Sequence, residues 1–109
     1  MSQIDLVAII SPKEGKAERV AELLNEISAY VKANEPGTLK YEIHQETNQK
    51  SGAVEIIMME SYKDKAAIVA HGASEQFKAF GKKVKDEDLI AKPMQLKFLK
   101  NVGGFSSRL

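Results

Sequence analysis

The 109-residue chain has no cysteine. Disulfides, thiolate catalysis, zinc–cysteine sites and iron–sulfur clusters are therefore excluded, and the zero count fits a reducing compartment. There is no tryptophan and only 6% of residues are aromatic, too few for a platform that stacks bases. Neither sign of charge dominates: sixteen Lys and Arg face fifteen Asp and Glu, for a net charge of +1. No field of one sign exists to attract nucleic acid or an anionic membrane. No apolar run approaches the roughly 20 residues that span a bilayer. The N-terminal "MSQIDLVAII" lacks a basic segment and leads straight into Ser11-Pro12, so it does not read as a signal peptide. Phosphate loops and nucleophile elbows are also missing. Gly103-Gly104 opens no helix, "EGKAE" lacks the flanking residues of a P-loop, and no G-x-S-x-G occurs.

What is present is ordinary globular material, 43% hydrophobic and 28% charged. The length fits one domain, placed at residues 1–102 with a tail at 103–109. The chain ends in Ser107-Arg108-Leu109, a conservative variant of the Ser-Lys-Leu peroxisomal address. The expected location is cytoplasmic, or peroxisomal or glycosomal in a eukaryotic host.

The order of elements reads β-α-β-β-α-β. "QIDLVAII" is a strand with apolar residues on both faces, stopped by Ser11-Pro12. Ala17, Val20, Leu24, Ile27 and Val31 then recur at spacings of three and four, an amphipathic helix from about Lys16 to Ala33. "NEPG" ends it, through Pro36 and a Gly37 that tolerates positive φ. "TLKYEIHQET" alternates cleanly, "NQKSG" is a turn, and "AVEIIMMESY" completes a hairpin. Asp64 can cap a second helix, and Ser74 can cap its continuation past Gly72. "KDEDLIAKP" reads as a polar connection and "MQLKFLKNV" as the last strand. This is the α+β, ferredoxin-like arrangement, a four-stranded antiparallel sheet with helices on one face. Stretches such as "VEIIMM" are apolar on both faces. With no third layer in the chain, a homodimer packed sheet to sheet is the expected cover.

Three stretches carry a family resemblance: "KEGKAERVAELL", "NEPGTLKYEIHQ" and "MMESYKDKAAIVAHGASEQFKAF". In order and spacing they resemble the antibiotic biosynthesis monooxygenase (ABM) domain, a dimeric α/β-barrel, over about Ile4 to Phe98. The resemblance implies a cavity between helices and sheet in each subunit. It also implies one of several chemistries: oxygenation of phenolic polyketides or quinols without metal or flavin, haem degradation, or isomerisation of small metabolites. The haem-degrading branch uses an Asn in strand one, a Trp in helix two and a His ten residues beyond that Trp. Here strand one has no Asn, His71 stands at the Trp position and Gly81 at the His position, so that branch is rejected.

Oxygenation without a cofactor needs a dry pocket, a base that works near neutrality and donors for the substrate anion. Histidine suits the base, with an ordinary pKa of ~6.5. His71 shares a helical stripe with Ala67, Ser74, Phe77 and Phe80, which should face the cavity. It is the candidate base or orienting group; the alternative is a rim histidine bonded to a backbone carbonyl. Tyr62 is the second catalytic candidate, as a donor to substrate oxygen. Tyr41, Ser74, Phe77 and Phe80 are candidate substrate-binding residues. Glu60, on the face of Tyr62, reads as the partner of a lysine, and His44 as an interface residue. The two histidines have no carboxylate spacing that would make a metal pair, and no metal or cofactor is expected. The leading expectation is a monooxygenase for a small aromatic or quinol-like substrate. A non-oxidative isomerase and a non-catalytic small-molecule-binding or stress protein are the alternatives.

Overall fold

The computed structural model describes residues 3–47 and 53–109. Strand β1 spans Ile4–Pro12, helix α1 Ala17–Asn34, and strands β2 and β3 Thr38–Gln45 and Ile56–Tyr62. Helices α2 (Lys65–Ala73) and α3 (Glu75–Asp86) follow, then strand β4 (Ile90–Leu99). The sheet order is β2-β3-β1-β4, antiparallel throughout, which is the ferredoxin-like topology. The expected second helix is two helices. Ser74 takes an extended conformation, so the chain breaks there and restarts with a new direction. The turn expected at "NQKSG" lies outside the described residues.

Strand alternation sorts the sheet into two faces. Leu6, Ala8 and Ile10 of β1, and Ile56, Met58 and Tyr62 of β3, are buried under the helices. From α1, Val20, Leu23, Leu24, Ile27 and Val31 meet them, at the spacing the apolar stripe required. Burial of each Val, Leu, Ile or Met among them stabilises the fold by roughly 1.5–3 kcal/mol. On the opposite face, Val7 pairs with Met59 and Ile9 with Ile57 across the strands, and all four are only half-buried.

Both ends of this core extend beyond the sequence expectation. Strand β1 continues through Ser11 and Pro12, because β3 has already ended beside Ile10 and Pro12 needs no second ladder. Strand β4 begins at Ile90, not Met94. Pro93 is accommodated because β4 is an edge strand and its register with β1 shifts there. Leu89, inside the supposed polar connection, is a core residue at 2% exposure. Its carbonyl accepts from Lys13 N–H and its own N–H donates to Val84. Beyond Leu99, residues 100–109 form no helix or strand and are exposed.

Gly37 matters for proximity, not for positive φ. A Cβ there would lie 2.8 Å from the Ala67 Cβ. The glycine carbonyl also accepts from Lys63 N–H at 2.8 Å, so the start of β2 is held tight against the start of α2. Gly37→Ala is expected to lower stability in urea unfolding by about 1–3 kcal/mol, the range for overpacking. In an Ala67→Gly background the same change should be close to neutral. An equal loss in both backgrounds would show that the contact is not the cause.

Candidate functional site

The close approach at Gly37 brings the end of α1 beside α2. Glu35 closes α1, its N–H donating to Val31 O at 2.8 Å, and Pro36 prevents the helix from continuing. On the facing helix, Asp64 caps the start by accepting from Ala67 N–H at 2.9 Å. One turn later α2 presents His71, which is only 6% exposed. The His71 Nδ1 and Glu35 Oε1 are 2.9 Å apart. Thr38 Oγ1 donates to the same oxygen at 3.2 Å, while the buried Oε2 has no hydrogen-bond partner among the described residues. His71 is therefore paired with a buried carboxylate and not with a backbone carbonyl.

Three rings surround the imidazole. Their centroids lie 5.3 Å away for Tyr41, 5.8 Å for Tyr62 and 5.2 Å for Phe77, none stacked face to face. These residues share a cavity of about 330 Å³ between helices and sheet. Its wall is mostly aliphatic and aromatic, with Leu6, Met58, Ile68 and Phe80 among the apolar members. The volume is at the lower end of small-molecule sites, about 300–1,000 Å³. Along β4 the lining side chains Met94 and Leu96 remain 43% and 52% exposed, so the cavity has one open side.

Of the residues singled out in the sequence, His71, Tyr62, Tyr41, Phe77 and Phe80 all line this space. Ser74 does not. Its hydroxyl accepts from Phe77 N–H and donates to the His71 carbonyl, which fixes the break between α2 and α3. That junction orients His71 and Phe77 toward one another. His44 lies on the other face of the sheet, exposed, with Nε2 2.9 Å from Glu42.

Of the two carboxylates of the site, Glu60 was read as the partner of a lysine and Glu35 was not singled out. Glu60 lines the cavity and accepts from the Tyr62 hydroxyl at 2.5 Å; its partner is this phenol, not a lysine. A carboxylate alternating with Met58 and Tyr62 on an apolar strand was the available signal. Glu35 sits in the Glu-Pro-Gly stretch, which reads locally as a helix stop and nothing more.

The electrostatics follow from burial. Glu60 is raised above the ordinary carboxylate value, first by burial, with the Tyr62 hydrogen bond and the charge of His71 opposing. Tyr41 and Tyr62 are pushed well above the ordinary phenol value. Burial leads for both, and Glu60 is the next cause. Both phenols thus stay protonated at any pH the protein meets. The site combines an imidazole, two neutral phenols and two carboxylates in an apolar enclosure. That set can accept a proton from a substrate hydroxyl and hydrogen-bond the anion left behind. Among the described residues, no three His, Asp or Glu side chains are gathered to hold a metal ion.

The fold and this site define a ferredoxin-like α+β domain with an internal, mostly apolar cavity. The antibiotic biosynthesis monooxygenase family matches residues 4–83, and the chain belongs to that family. A solved Caulobacter crescentus structure, provisionally named an antibiotic biosynthesis monooxygenase, is 27% identical with a TM-score of 0.77, covering 94% of this chain and 92% of that one. A Pseudomonas aeruginosa structure is 25% identical with a TM-score of 0.79, covering 94% and 97%. A Nitrosomonas europaea structure, also provisionally named a monooxygenase of this kind, shares the fold at a TM-score of 0.78, with 19% identity and coverage of 92% and 90%. No curated protein matches the chain. Among the described residues no helix is long and apolar enough to cross a membrane.

The raised Glu60 has a consequence for stability. Its folded form binds a proton more tightly than its unfolded form. The associated stabilisation is present below the ordinary carboxylate value of 4.5 and is lost as pH rises through the folded value. Glu60→Gln removes this loss. The variant should have a higher Tm than the parent at about pH 8, with the gap shrinking toward about pH 4. A gap in Tm that does not vary with pH would contradict the raised value.

Proposed function

We propose that this chain is a homodimeric monooxygenase that uses neither metal nor flavin and acts on a small aromatic or quinol-like substrate. The observation that carries the reading is His71. A buried imidazole lines an apolar cavity, is ringed by Tyr41, Tyr62 and Phe77, and is held by a carboxylate outside the cavity lining. Membership of the family and the provisional name of the Caulobacter crescentus relative support the same reaction class.

In this reading a substrate hydroxyl gives its proton to His71. The electron-rich anion then reacts directly with dioxygen in the mostly apolar cavity. For a hydroquinone, oxidation to the quinone supplies two of the four electrons dioxygen needs. Conversion of a ring C–H to C–OH supplies the other two. One oxygen atom stays on the ring and the other leaves as water. Tyr62 lines the cavity with its hydroxyl on Glu60, and it becomes free to donate to the developing oxyanion when Glu60 is protonated. Phe77, Phe80 and Tyr41 hold the aromatic plane of the substrate. Ser74 acts by fixing the helix junction, not by touching substrate.

The dimer rests on the open sheet face. Val7, Ile9, Ile57 and Met59 form a contiguous, half-buried apolar stripe, which a second copy would cover. Sedimentation should give a dimer at micromolar concentration, and Ile57→Glu should shift it toward monomer. A monomeric parent protein would remove this part of the reading.

The activity test is oxygen uptake by metal-stripped protein with a panel of hydroquinones and polycyclic phenols. His71→Ala, checked for an unchanged circular dichroism spectrum, should lose about 10²–10⁴-fold in rate, the usual contribution of a positioned base. Equal uptake by both proteins would return His71 to a packing role. No uptake by the parent with any compound would move the chain to non-oxidative chemistry on the same cavity.

A further inference from the structure

We infer that Glu35 is a positioning residue: it fixes the hydrogen of His71 on Nδ1 and so presents Nε2 as the proton acceptor of the cavity. The inference rests on the proposed role of His71 as base, and its first readout does not depend on turnover.

Three observations carry it. The first is the contact itself, Nδ1 to Oε1 at 2.9 Å between side chains 8% and 10% exposed. A carboxylate only accepts, so the ring nitrogen facing it must carry the hydrogen. Thr38 also donates to Oε1, which fits an oxygen acting as acceptor. The second is the division of space. His71 lines the cavity and Glu35 does not, so the carboxylate grips the ring from outside. Among the described residues Nε2 makes no hydrogen bond, and it is not a buried atom without a partner as Glu35 Oε2 is. Nε2 is therefore reachable. The third is rotation. Rings of Tyr41, Tyr62 and Phe77 at 5.2–5.8 Å leave the imidazole little freedom to flip. The tautomer is then set by the carboxylate and the orientation by the rings.

A carboxylate behind the imidazole does two things for a base. It keeps the acceptor nitrogen aimed at the substrate, and it stabilises the imidazolium that forms when the proton arrives. The second effect operates in the transition state and not on the bound substrate. It therefore belongs to kcat and not to KM.

The test begins with the parent protein. Nitrogen-15 NMR of the His71 ring is recorded at a pH where the ring is neutral. The expected pattern has a protonated Nδ1 and a bare Nε2. A proton on Nε2 in the parent protein overturns the inference, whatever its activity. Glu35→Gln, which keeps the size and the Thr38 contact, is the second arm. With the hydroquinone giving the fastest oxygen uptake, kcat should fall about tenfold or more while KM changes less than about threefold, since Glu35 touches no substrate. An unchanged kcat in folded Glu35→Gln, or a loss confined to KM, would overturn the positioning role. A parent protein with the expected tautomer but no oxygen uptake would retain Glu35 as the group that sets the tautomer and would reject only the oxygenase reading.

Discussion

A buried carboxylate has to be paired, and Glu35 is paired by Thr38 at the start of β2 and by His71 on the facing helix. The Glu35–His71 contact ties the last residue of the α1 segment to the face of α2. Removing one partner of such a pair typically costs 3–5 kcal/mol, while the intact pair adds little over a well-packed apolar alternative. A buried pair is therefore weak as a device for stability. Its position beside a cavity is better explained by chemistry than by folding. The neighbouring parts serve the same junction. Gly37 permits the backbone approach, Asp64 starts α2 at the right place, and Ser74 ends it one turn after His71 has been presented.

The site has a clear division of labour. One wall is the sheet, where Leu6, Met58, Glu60 and Tyr62 alternate inward. The other is the helix pair, carrying Ile68, His71, Phe77 and Phe80. Charge is concentrated at two carboxylates, each hydrogen-bonded to one aromatic group: Glu35 to His71 and Glu60 to Tyr62. Low polarity around them raises Glu60 and keeps both phenols protonated.

The surface follows other rules. Arg19 bonds Glu87 through two nitrogens, at 2.8 Å each, and links α1 to the connection before β4. Lys13 and Asp88 meet on the same side. These exposed pairs set the path of the loop that delivers Leu89 to the core. None of these four residues lines the cavity.

Much of the architecture was legible from the residues alone. Period-two and period-three-to-four patterns gave four strands and the helical stretches, because burial on one face leaves its spacing in the sequence. His71 stood out as a histidine on an apolar stripe, and the Ser74 cap was visible as a local motif. The limits of β1 and β4 were not legible. Proline stops a strand only where a second ladder needs its N–H, and which strand lies at an edge is a property of the whole sheet. Glu60 was given the wrong partner, and Glu35 was passed over, for a related reason. A carboxylate looks like a surface group until its partner is known: Tyr62 lies two residues from Glu60 on the same strand, while His71 reaches Glu35 only after folding. The sequence by itself determined the periodicities, the caps and the family. Only the tertiary structure decided which charges were buried and with whom, because pairing across 36 residues of chain depends on the approach of two elements and not on their spacing.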